Sequence, residues 1–164
     1  MHLPLPEELD LDRLQRVVDK IHHSEFYWFE RGEGQTVARI YLMFGELEAG
    51  DPGSQYMYVG ENSICAKWAG IAFLELVHRV FPEMENSVKG DNTEWYPDTI
   101  VLPNGQAYRF ASVDYLVTNL DQFRGYAFDK IFFDVSAEKQ HLYDRDGRLM
   151  EAFTVLEHAG AEFV

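Results

Sequence analysis

The sequence predicts a single α/β domain with a mainly parallel sheet flanked by helices and one β-hairpin inserted between strands. Three observations lead there. Strand-like and helix-like runs alternate along the 164 residues, the pattern of strands joined by crossover helices. Thr99 to Leu102 and Gln106 to Ala111 flank Pro103-Asn104-Gly105, a strong short-range hairpin signal. Phe128 to Val135 carries the apolar run of a buried strand. The length suits one domain with a sizeable core, divided into a helical lead over 1–24 and an α/β core over 25–164.

Taken in order, Leu9, Leu11, Leu14, Val17, Val18 and Ile21 recur at mostly helical spacing, which predicts an amphipathic helix from Glu7 to about His22. Phe26 to Phe29 reads as a compact buried strand. A Gly-containing turn follows, and Val37, Ile40, Tyr41, Phe44 and Leu47 then mark one face of a second helix. Gly50-Asp51-Pro52-Gly53 stops it. Gln55 to Gly60 reads as a strand. Asn62 or Ser63 caps a third helix, with Ala66, Ala69, Ala72, Phe73, Leu76 and Val80 as its apolar positions and Pro82 at its end. Glu83 to Pro97 is polar and reads as a surface connection. Val113 to Leu120 fits a helix or a strand and turn. Asp144 to Gly147 reads as a turn, Leu149 to His158 as a helix, and Ala161 to Val164 as a last strand.

Composition narrows the function classes. Acids outnumber bases 28 to 14, a net charge of −14. That balance opposes a broad electrostatic grip on nucleic acid, which needs clustered Lys and Arg. It fits either a solubilising surface or a basic partner, including an enzyme deceived by a charge imitation of DNA. The single cysteine, Cys65, excludes an internal disulfide framework and an all-Cys zinc site; it reads as a small buried hydrophobe. No apolar run is long enough for a membrane span, and the start lacks a signal-peptide pattern. A cytoplasmic location is the default expectation, in the host cytoplasm if the source is viral.

Candidate chemistry centres on Arg31-Gly32-Glu33-Gly34-Gln35-Thr36. A phosphate-cradling turn uses successive backbone N–H groups and the positive end of the next helix. Glycine lets that backbone approach the anion. Gly34 and Thr36 fit the tail of such a loop, and Gln35 stands where a Lys would reach the outer phosphates. The first Gly of the usual pattern falls on Phe29. Alone, the loop also reads as an ordinary turn from strand to helix. Asp134, ending Lys130-Ile131-Phe132-Phe133, reads either as a magnesium ligand or as a turn residue leaving the strand.

These stretches, in order, resemble the ATPase half of viral DNA-packaging terminase large subunits, within the RecA-like P-loop NTPases. The resemblance runs through 31–36, through Tyr56-Met57-Tyr58-Val59-Gly60, and through the hairpin from Ile100 to Phe110. It ends with Phe123-Arg124-Gly125 and the strand finishing at Asp134. It implies a P-loop NTPase-like fold in which Arg31, Gly32, Glu33, Gly34, Gln35 and Thr36 surround the phosphates of ATP. Thr36 and Asp134 would hold Mg2+, and Arg124 would sense the outer phosphate. Gln35 in place of Lys, and Val135 where active members carry a Glu, both fall on positions that carry chemistry. The implied activity is a weak or inactive ATPase, with Gln35, Asp134 and Arg124 as its catalytic candidates.

Two further readings use the same scaffold. One is a non-catalytic acidic interaction protein that binds a host DNA-processing or defence enzyme. The other is an assembly partner that completes its sheet or site with another subunit or a second copy. His22-His23 with Glu25 reads as a solvent-exposed group and not a metal site, and Asp144-Arg145-Asp146-Gly147 lacks the later acid of a calcium loop.

Overall fold

The computed structural model describes residues 3, 5, 12, 16, 35–85, 99–135, 140 and 142–164. Asp12 and Arg16 have helical backbone. The rest of the expected lead helix, the expected strand at Phe26 to Phe29, and Arg31, Gly32, Glu33 and Gly34 lie outside the described residues. So does most of the expected connection at Glu83 to Pro97, whose start is a 3-10 turn over Pro82–Met84.

Helix α1 (Gln35–Ala49) opens the described core. It stops at the Gly50 turn, where Gly50 N–H donates to Glu46 O at 2.8 Å. Strand β1 (Gln55–Gly60) follows. Asn62 then caps α2 (Ser63–Val80), its side chain accepting from Cys65 N–H. Cys65 is half-buried, against the expectation of full burial, because it lies on the first, solvent-facing turn. The hairpin forms as expected from β2 (Thr99–Val101) and β3 (Ala107–Ser112), which pair antiparallel. Gly105 adopts the positive φ of 88° that its turn demands.

The ambiguous stretch is helical. Ser112 caps α3 (Val113–Thr118) by accepting from Tyr115 N–H at 3.1 Å, and α4 (Leu120–Phe123) continues it. The last strands are β4 (Lys130–Asp134) and β5 (Glu162–Phe163), joined through α5 (Arg148–His158). β4 starts two residues later than the apolar run suggests. Asp129 takes the preceding place, its carboxylate and its N–H both engaging the backbone of Gln55 at 2.7 Å.

The five strands are ordered β2-β3-β1-β4-β5. Every neighbouring pair is parallel except β2 with β3. Side chains alternate across this sheet, and the alternation sorts the core into two layers. Tyr56, Tyr58, Tyr108, Phe110 and Phe132 pack with α1 and α2. Met57, Val59, Ala111, Ile131 and Phe133 pack with α3, α4 and α5. The first layer is an aromatic stack, with the Phe73 ring 4.8 Å from that of Tyr108 and 5.8 Å from that of Phe110. Offset contacts of this kind add about 0.5–1.5 kcal/mol each beyond area burial.

A polar network closes the amino end of the sheet. Glu46 pairs with Lys130 at 2.5 Å and accepts from Tyr56 OH at 3.1 Å, while buried Gln106 donates to Glu46 O at 2.9 Å. Gly50 must be glycine here, since a Cβ would lie 2.7 Å from the backbone carbonyl oxygen of Glu46, besides meeting the Tyr56 hydroxyl and Gln106 Nε2. No helix among the described residues is long and apolar enough to cross a membrane.

Candidate functional site

Strand register assembles the opposite, carboxyl end. Gly60 of β1 pairs with Asp134 of β4 on one side and with Ser112 of β3 on the other. Asp134 shares the face of Phe132, so its carboxylate points toward α1. Gly60 lets the start of α2 pack close to the strand, since a Cβ there would lie 3.0 Å from Ala66 N and 3.2 Å from Tyr58 Cε1.

Three groups converge on the Asp134 carboxylate. Thr36, on the first turn of α1, donates its hydroxyl to Oδ2 at 2.5 Å across a separation of 98 residues. Tyr58 of β1 donates its hydroxyl to the same oxygen. Arg39 places Nη1 3.5 Å from Oδ1 and donates from Nε to the Val164 carbonyl at 3.1 Å. Thr36 and Arg39 reach one carboxylate because positions three apart share a helix face. Arg39 is 1% exposed and the Asp134 side chain 12%. Gln35, also buried, begins α1, where the first N–H groups of a helix lack intrahelical partners and favour an anion.

Burial dominates the electrostatics. It pushes the Arg39 guanidinium below its ordinary pKa, opposed by the charge of Asp134 and then by Tyr58. It also raises the Tyr58 hydroxyl well above 10, a shift reinforced by the charge and hydrogen bond of Asp134. Burial pushes Tyr56 up to about 12 and raises Tyr108 further. The folded state therefore favours the neutral phenols. Their contribution to stability is fully present below pH ~10, the ordinary tyrosine value, and is lost as the pH rises from there toward the folded values. In an ultraviolet titration, Tyr56, Tyr58 and Tyr108 of the nine tyrosines are expected to ionise only as the alkaline protein unfolds. Nine tyrosines titrating together near pH ~10 in folded protein would contradict this.

The structure thus brings together Thr36 and Asp134, with Gln35 next to Thr36 at the start of α1. It places Arg124 elsewhere, on the helical layer of the other face, with Nε 2.7 Å from Asp121 and Nη2 2.7 Å from Glu151. Those two hydrogen bonds hold its pKa above the ordinary value. Val135 is buried in the layer of α5, so the position after Asp134 faces away from α1. Tyr58 and Arg39 belong to the cluster but not to the candidate residues read from the sequence; the one signal for Tyr58 was a Tyr two residues before a strand-end Gly.

The residues present fit a nucleotide with a hard cation in part. Thr36 and Asp134 are oxygen donors suited to Mg2+, whereas Gln35 brings no charge to the phosphates. Among the described residues no three His, Cys, Asp or Glu side chains cluster as a metal cage. Nucleotide and water oxygens would therefore complete a magnesium shell, the usual arrangement for this ion.

The fold and this site define a mixed α/β domain whose polar cluster lies at the carboxyl ends of the strands. The structure is similar to that of the large terminase ATPase domain of Thermus phage P74-26, over 98% of this chain and 69% of that one, with a TM-score of 0.54 and 19% sequence identity. At that identity the likeness establishes the fold. No family model and no curated protein matches the chain.

Proposed function

We propose that this chain is a nucleotide-binding domain of the phage-packaging ATPase type, with hydrolysis weak or lost. The observation that carries the reading is the hydrogen bond from Thr36 to Asp134. It joins a hydroxyl at a helix start to an acid at a strand end, the two groups this chemistry requires on magnesium. Bound Mg2+ would supply charge neutralisation at the outer phosphates. The chain's own part is to present the amino end of α1 to the phosphates and to hold Asp134 in place through Tyr58 and Arg39. Neither Gln35 nor Val135 can take a proton from an attacking water, and Gln35 cannot stabilise developing charge as Lys would.

Calorimetric titration with ATP and magnesium tests this. Wild type is expected to bind, and the near-isosteric Thr36→Val and Asp134→Asn are expected to bind about tenfold or more weakly, the scale of one lost charge-assisted contact. Phosphate release should stay near background. Folded protein that gives no heat at millimolar nucleotide would remove the proposal.

The acidic interaction protein remains a second reading, supported by the net charge of −14. Pull-down of a basic, DNA-processing enzyme for which this chain competes with DNA, together with silence toward ATP, would favour it. A second copy as partner is tested by light scattering, where a strict monomer counts against it.

A further inference from the structure

A second crevice lies at the same end of the sheet, where the chain changes direction. β1 is followed by α2 on one face and its parallel neighbour β3 by α3 on the other. Open α/β sheets bind ligands at such a switch point, outside the carboxyl ends of the strands. A groove of about 580 Å³ opens here, within the range of small-molecule sites. Its lining includes Ser63, Thr99, Arg109, Tyr115, Phe123 and Tyr126.

Arg109 sits on β3 in register with Thr99 of β2 and Met57 of β1. Its guanidinium carbon lies 4.4 Å from the centroid of the Tyr126 ring, and Nη2 donates to Tyr126 OH at 3.2 Å. The ring therefore fixes the cation in one orientation. Nε is buried and has no hydrogen-bond partner among the described residues, and an orphaned buried donor in a native fold calls for an explanation. Beside it stands a shelf of aromatic rings. Phe123 lies 6.1 Å from Tyr115 and 6.3 Å from Tyr126, and Tyr126 stacks on Phe128 at 5.7 Å with the ring planes 19° apart. Tyr115 is 47% exposed and Tyr126 36%, so rings that mutual contact holds in place still present area to an incoming molecule.

We propose that this groove is a second ligand site, which takes a small anion carrying a planar aromatic base, of the nucleoside monophosphate class. The exposed Tyr115 ring stacks the base, the Ser63 hydroxyl meets its polar edge, and Arg109 receives the anion. Arg109 is the single cation among the described lining residues, and no carboxylate is among them. In a chain of net charge −14, one guanidinium suits one phosphate or carboxylate and not a polyphosphate or a nucleic acid strand. The site shares no residue with the Thr36–Asp134 cluster, so it stands independently of the nucleotide reading above.

The test is saturation-transfer NMR with the four ribonucleoside monophosphates, without magnesium, on the intact chain. At least one is expected to bind, with affinity at least tenfold weaker in Arg109→Gln and intermediate in Arg109→Lys. Should Arg109→Gln fail to fold, Tyr115→Ala at the exposed rim serves instead and is expected to weaken binding several-fold. Three results would overturn the site: no binding of any monophosphate at ten-millimolar concentrations, wild-type affinity in the folded variants, or binding lost in Thr36→Val and retained in Arg109→Gln.

Discussion

Asp134→Ala is expected to destabilise the protein by about 3–5 kcal/mol, the cost of breaking a buried ion pair by removing one partner. Arg39 is 1% exposed with its guanidinium 3.5 Å from Asp134, so removal of the carboxylate takes a counter-charge from a cation that water cannot reach. The loss is a large share of the total for a domain whose stability is on the order of 5–15 kcal/mol. Replacing both members, Arg39→Met with Asp134→Ala, should cost less than Asp134→Ala alone, because an apolar pair needs no counter-charge. Urea unfolding of the two singles and the double measures the coupling. A cost below about 1 kcal/mol for Asp134→Ala, the level of an exposed pair, would mean that Arg39 does not depend on this carboxylate.

Gln35→Lys should raise ATP affinity roughly 10- to 150-fold, the equivalent of ~1.5–3 kcal/mol for a restored charge-assisted contact. Gln35 is the first residue of α1 and is 8% exposed. A Lys there either reaches a phosphate or is left buried one turn from Arg39, so the variant should also be less stable without nucleotide than with it. Turnover should rise little, since Val135 packs into the opposite layer and supplies no base. Calorimetry reads the affinity; no gain over wild type would place the phosphates away from residue 35.

Much of the architecture was legible because local and global signals agree. Tyr56-Met57-Tyr58-Val59 alternates between two apolar layers, Asn62 caps the helix it precedes, and Asn104-Gly105 turns the hairpin. Val113 to Leu120 was not legible, because Val113, Tyr115 and Val117 alternate like a strand while Val113, Leu116, Val117 and Leu120 fit a helix. The cap from Ser112 and the burial of the second set decide it. The site was half legible. Thr36 and Asp134 stand out by their place in the chain, but their partner Tyr58 depends on the register that sets Gly60 beside Asp134. That register is a property of the assembled sheet. Arg124 shows the converse: an Arg-Gly turn before a strand suggested a phosphate sensor, and the fold gives that Arg to Asp121 and Glu151.

The strand order also sets a timetable. Among the described strands, only β2 and β3 pair through a short turn; β1 must find β3 and β4 across intervals of about fifty and seventy-five residues. Closing such loops precedes any reward from the contacts they make, which slows folding. The hairpin is therefore the natural early structure, and the Thr36–Asp134 junction, spanning 98 residues, belongs to the last steps of assembly. A ligand that grips that junction would act as a late clasp, slowing the escape from the native state far more than it hastens arrival.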